Sequence, residues 1–135
     1  MKDWIGILGE AIPLAEGLAF VVDPAAGGID VFVGTVRAER KSSGEMLVGL
    51  EYEAYVEMAA EQLQDLARRA RARWPIVKLV LLHRQGRVEV GQPSVLIAVS
   101  TPHREECFAA CRFLIDTLKG EVAIWKKEIW GGGEC

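Results

Sequence analysis

Between His103 and Glu128 the chain reads HREECFAACRFLIDTLKGEVAIWKKE. An amphipathic helix is expected to open on His103-Arg104 and to close on Lys119. Gly120 then leads into a short apolar strand that carries Lys126 and Lys127. Four cationic side chains and an imidazole thus stand at the ends of two adjacent elements. In a chain of formal net charge -3, that grouping suits a pocket for a small anionic substrate, with at least one lysine placed for chemistry.

Each group also has a plainer role. At Thr101-Pro102-His103-Arg104 a strand hands over to the helix, and proline favours a first helical turn. The unpaired N–H groups there carry partial positive charge and take anions. Glu105 and Glu106 offer the alternative of a charge-balanced, solvated helix start. Lys119 in the last turn complements the helix dipole whatever else it does, with Gly120 as a C-terminal cap. Lys126 and Lys127 must point to opposite faces of their strand. Ile124 and Trp130 share the Lys126 face, and Trp125 and Ile129 the Lys127 face, so alternation does not choose between the lysines. Arg37, at the end of Gly34-Thr35-Val36-Arg37, can clamp an oxyanion bidentately or sit on the surface.

Cys107 and Cys111 are four apart on the same helix. They share a stripe with Ala110, Leu114 and Leu118, which favours core packing over metal ligation. No second Cys/His pair accompanies them. Cys135 stands alone and is expected to be exposed. Arg68, Arg69, Arg71 and Arg73 crowd a helix C-terminus, with Asp65 and Arg69 as an i,i+4 pair. A solvated face is the default there, and docking of an acidic protein the alternative.

The elements that must position these groups follow from periodicity and breakers. A short helix spans 13–22, stopped by Asp23-Pro24. Strands are expected near 29–36, 47–55, 76–83, 87–90, 94–100 and 122–130, with a polar loop over 37–44. A helix over 56–74 aligns Ala59, Leu63, Leu66, Ala67, Ala70 and Trp74 on one stripe, and Pro75 ends it. A second long helix covers 102–119. Two long helices alternating with strands give an α/β (α+β) two-layer sandwich, with antiparallel pairing allowed by the short connections.

The 135 residues suit one domain over 1–135. The slight acidity argues against general nucleic-acid binding. Three cysteines suggest no disulfide framework and fit a reducing cytosol. The apolar start is interrupted by Asp3, Glu10 and Glu16, so neither a signal peptide nor a membrane span is expected.

The series FVGTVR (32–37), LEYEAY (50–55), RWP (73–75), HRQGRVEVGQPSVLIAV (83–99), TPHR (101–104), FLIDTLK (113–119) and IWKKE (124–128) resembles the large, catalytic subunit of molybdopterin synthase. The match runs from about Asp30 to Glu128 in the family's order and spacing. It implies a hammerhead-like fold with a mixed, largely antiparallel sheet. It also implies a sulfurtransferase that converts cyclic pyranopterin monophosphate (precursor Z) to molybdopterin, whose dithiolene later binds the metal of the molybdenum cofactor. Sulfur would come from the C-terminal Gly-Gly thiocarboxylate of a small, ubiquitin-like partner subunit. The assembly would be a heterotetramer built on a homodimer of large subunits, with pockets near the dimer interface. No metal or organic cofactor is implied for the step.

The resemblance also implies roles. Lys119 matches the essential lysine beside the thiocarboxylate tail, and Lys126 matches the second essential lysine. His103 and Arg104 match an anion-binding pair, and Arg37 the substrate-binding arginine. Thr35, Val36, Lys127 and Glu128 match positions lining the same pocket. Many members run past the IWKKE strand with a tail that helps close the site. This sequence reads Gly131-Gly-Gly-Glu-Cys135 after that strand, which leaves a tail contribution to the site open, and Glu134-Cys135 after the glycines makes it unlike a sulfur-carrying terminus.

A free lysine has a pKa of ~10.4. To act as base or nucleophile near neutral pH it must be desolvated or crowded by other cations. Lys126, Arg37 and Arg104 are the groups expected to crowd Lys119. The rival function is a non-catalytic module that binds an anion or a protein tail. It would tolerate arginine for lysine, whereas an enzyme needing a neutral amine would not.

Overall fold

A computed structural model describes residues 2–131. Cys135 and the Gly132–Glu134 segment before it lie outside the described residues, so the expectations for them have no structural counterpart. In chain order the elements are β1 (Asp3–Leu8), α1 (Leu14–Val21), β2 (Gly28–Thr35), β3 (Met46–Ala54), α2 (Val56–Arg73), β4 (Lys78–Arg84), β5 (Gly86–Glu89), β6 (Pro93–Thr101), α3 (Arg104–Glu121) and β7 (Ile124–Gly131).

The strands form two sheets where one was expected. The first has the order β1-β4-β6-β2 and the second β5-β3-β7. Only β1 and β4 run parallel among the described pairs; the others are antiparallel. The mixed, largely antiparallel α+β architecture follows directly. β6 is the apolar run 94–100, and it is buried throughout because it lies between β4 and β2 with helices on both faces.

Alternation sorts the first sheet's side chains. Leu79 and Leu81 of β4 and Val95, Ile97 and Val99 of β6 face α2 and α3, forming the main core with Leu63, Leu66 and Leu114. Val80, Leu82, Leu96 and Ala98 face the other way, against Val21 of α1. The second sheet has a smaller core of Val36, Leu47, Leu50 and Val88.

The arginine cluster ties elements together instead of forming a free basic face. Arg71 clamps Asp3 of β1 at 2.6 Å and donates to the Ile76 carbonyl at 2.8 Å. Arg69 reaches Glu121 at the end of α3 at 2.9 Å as well as Asp65 at 3.6 Å. Arg73 stacks on Trp74 and Phe113, 4.5 and 5.0 Å from the ring centroids. α3 runs on to Glu121, so Gly120, expected as a C-terminal cap, is helical.

Cys107 and Cys111 are buried in the main core. Burial pushes both thiols up, with Asp30 beside Cys111 adding to the effect, and Cys111 rises to about 12. Metal ligation needs thiolate, so this environment opposes it. Elemental analysis of freshly purified protein should find no stoichiometric zinc or iron. Ser at Cys111 should lower stability by about 1–3 kcal/mol, the usual scale for a core polar substitution, and leave the folded fraction active. Metal lost together with either cysteine would contradict this.

No described helix is long and apolar enough to cross a membrane.

Candidate active site

A cavity of about 1050 Å³ lies where the two sheets and the end of α3 meet. Its walls come from six elements, β2, β3, β4, β6, α3 and β7, and one loop. β2 contributes Phe32, Gly34 and Thr35, and the loop after it Val36, Arg37 and Glu39. α3 contributes Lys119, and β7 contributes Lys126 and Glu128. A side chain on Gly34 would run into Val95 Cγ1 at 2.6 Å, so glycine there keeps β2 close against β6.

The register of the second sheet explains which β7 residues enter. Tyr52 pairs with Lys126 and Leu50 with Glu128. These four share the face that carries the cavity. Glu51 pairs with Lys127 on the outer face. Lys127 was expected to line the pocket and is not among the residues that line it in the single chain, although Trp125, two positions earlier on the same face, reaches it.

The charges within are unevenly matched. Glu39 pairs with Arg37 at 3.4 Å, and Glu128 accepts a hydrogen bond from Trp130 Nε1 at 3.3 Å. Among the described residues neither Lys119 nor Lys126 has an ion-pair partner. Both are exposed in the isolated chain. Two ammonium groups at one cavity, neither paired with a carboxylate, favour an anion.

His103 and Arg104 are placed elsewhere. α3 begins at Arg104, not at 102, and His103 caps it, with Glu106 Oε1 accepting from the His103 N–H at 3.1 Å. Gly28 lets β2 approach closely: a Cβ there would meet Arg104 Cα at 2.9 Å. The pair lines a separate cleft of about 260 Å³ with Gly27, Pro102 and Glu105. At 1.5 Å rise per residue, the fifteen steps of helix from Arg104 to Lys119 span about 22 Å. The two ends of α3 cannot serve one small substrate within a single chain, so Arg104 does not crowd Lys119 there.

Several polar lining residues were not singled out as site residues in the sequence, Glu39 among them. Tyr52, Ser94 and His83 also face the cavity. His83 is 6% exposed and meets Tyr52 edge-on, with ring centroids 5.0 Å apart. Its signal was available: Leu79, Leu81 and His83 share one face of β4, and the third position breaks an apolar series.

The family described as MoaE protein matches residues 7–121. The molybdopterin synthase catalytic subunit of Nostoc sp. is 44% identical over 134 residues, covering 98% of this chain and 80% of that one. The crystal structure of molybdopterin synthase from Staphylococcus aureus superposes with a TM-score of 0.86 at 34% identity, covering 95% of this chain and 96% of that one. A structure titled as the complex of subunits 1 and 2 of molybdopterin-converting factor from Helicobacter pylori shares the fold, with a TM-score of 0.76 at 23% identity over 92% of this chain and 83% of that one. The matched family stops at Glu121, but the Nostoc relative extends the likeness through β7, where Lys126 lies. By family match, sequence identity and fold together, the chain belongs to the MoaE family of molybdopterin synthase catalytic subunits, sulfur-transferring enzymes of molybdenum cofactor biosynthesis.

Proposed function

We propose that the large cavity receives both the thiocarboxylate tail of a small ubiquitin-like carrier subunit and cyclic pyranopterin monophosphate, and that sulfur passes between them beside Lys119 and Lys126. The observation that carries this reading is the convergence of those two lysines, from α3 and β7, on one cavity with no carboxylate pairing either. Their charge meets the thiocarboxylate and the negative charge that develops as it is attacked. A tail threaded into the cavity also takes water away, which strengthens these charge interactions. Arg37 is in place to hold substrate phosphate once it leaves Glu39.

The separation of His103 and Arg104 from the lysines supports a second part of the proposal. Two copies of the chain associate so that the α3 start of one completes the cavity of the other. Each site then has lysines from one protomer and the His-Arg anion pair from its partner. With a carrier bound to each, the assembly is a heterotetramer acting in the cytoplasm, each large subunit serving as one domain. The Helicobacter pylori protein that shares this fold was solved as one of two subunits in a complex.

A Gly-Gly end is the slimmest tail a polypeptide offers, with no side chains to block a narrow channel. Deleting the carrier's last two glycines should abolish sulfur transfer and weaken the complex, leaving the affinity of the carrier's folded body. Calorimetry with full-length and truncated carrier, against wild type and Lys119→Ala, checks this. The truncation should cost wild type more than it costs the variant. Equal costs would remove Lys119 from the tail's end-point.

A further inference from the structure

His83 is the one buried imidazole that the roles above leave unused. It sits at the end of β4, paired in register with Val95 of β6 and Ile7 of β1, where the apolar face of the sheet opens into the cavity. Its ring is held from two sides. Tyr52 packs against it edge-on, with the ring planes at 70°. Nδ1 lies 2.8 Å from the Arg84 carbonyl oxygen. A carbonyl oxygen only accepts, so Nδ1 carries the proton and donates it. Nε2 has no hydrogen-bond partner among the described residues. It is not fully enclosed, and His83 is one of the residues lining the cavity.

We infer that Nε2 of His83 is a substrate-recognition acceptor, taking a hydrogen bond from an N–H or O–H donor on the heterocycle bound in the cavity. This deepens the proposed function and rests on it. The acceptor's type matters as much as its position. A carboxylate at that depth would repel an anionic substrate, and a lysine or arginine cannot accept. A neutral imidazole accepts without adding negative charge. Burial lowers the proton affinity of His83, the hydrogen bond to Arg84 opposing the shift only in part, so the ring stays neutral at physiological pH. The two carboxylates of the cavity are exposed, and the buried Ser94 hydroxyl is turned toward the Gly34 carbonyl at 3.3 Å, so His83 is the buried lining side chain that offers an unpaired acceptor with no proton of its own on that atom. Binding then selects a ring that presents a donor at this point, because a ring lacking one leaves Nε2 dry and unpaired.

Two variants separate acceptance from packing. Gln places its amide oxygen near the position of Nε2, while Phe fills the space with no acceptor. Titration with cyclic pyranopterin monophosphate should show His83→Phe binding about tenfold more weakly and His83→Gln within about threefold of wild type, the scale of one hydrogen bond. Carrier affinity should not change in either. The wild-type protein gives an independent reading through long-range proton–nitrogen spectra of the imidazole. Added pterin should move the Nε2 resonance in the direction of hydrogen-bond acceptance, and inorganic phosphate alone should not. Equal weakening by Phe and Gln, or an Nε2 resonance unmoved by a pterin that binds, overturns the inference while leaving the proposed function standing. Failure of the wild type to bind the pterin at all removes the proposed function and this inference together.

Discussion

Lys119→Arg should lower the rate of dithiolene formation by ~10²–10⁴-fold, the usual worth of one general acid–base group, while the far-ultraviolet spectrum and the melting temperature stay near wild type. Lys126→Arg should behave alike. Fold is preserved because both side chains are exposed and unpaired among the described residues, so no core contact is lost. Charge is preserved too, and guanidinium still attracts the tail and the phosphate. What is lost is an amine that can give up and regain a proton, since guanidinium stays protonated. The variants should therefore keep carrier affinity and lose turnover. Near-wild-type turnover in Lys119→Arg would return the cavity to a simple binding site.

The second large effect comes from mixing damaged subunits. Lys119→Ala and Arg104→Ala homodimers should each be nearly inactive, since every site in them lacks one group. A heterodimer of the two, isolated with different tags, is different if sites are shared between protomers. One of its sites lacks both groups and the other lacks neither, so it should turn over at about half the wild-type rate by the symmetry of the pair. If each site belonged to one chain, both sites would be damaged and the heterodimer would be as inactive as its parents. The 22 Å length of α3 between the two groups makes the shared arrangement the expected one.

Much of this molecule is legible in its sequence, and the illegible parts have physical causes. β6 and α2 stand out because an unbroken apolar run and a clean helical stripe each fit one element. β1 does not. DWIGIL is half-buried along its length, contains Gly6, and gains its place by parallel pairing with a strand some seventy-five residues later. Nothing local announces such a partner. The same limit hid the second sheet, since alternation assigns faces to a strand but never names its neighbour.

The site shows this limit at single residues. Alternation along β7 left Lys126 and Lys127 equivalent, and the cross-strand pairs with Tyr52 and Glu51 separate them. His103, Arg104 and Lys119 look like one cluster in sequence because they bound one helix, yet a helix is a spacer and keeps its ends apart. Arg71 looked like part of a solvated basic face. Its partner Asp3 belongs to the strand that periodicity missed, so neither could be read without the other. Arg37 drew notice as the arginine ending a well-marked strand, with clamp and surface left equal, while Thr35 and Val36 came only from the family resemblance; all three line the cavity.

The central claim is that this chain itself moves sulfur. The most direct measurement is a single-turnover reaction containing only the purified chain, carrier bearing a C-terminal thiocarboxylate, and cyclic pyranopterin monophosphate. Mass spectrometry then follows both the pterin and the carrier. The account predicts a pterin carrying a dithiolene and a carrier returned to the ordinary carboxylate, two carriers consumed for each pterin converted. A chain that binds both carrier and pterin while the pterin gains no sulfur would contradict it.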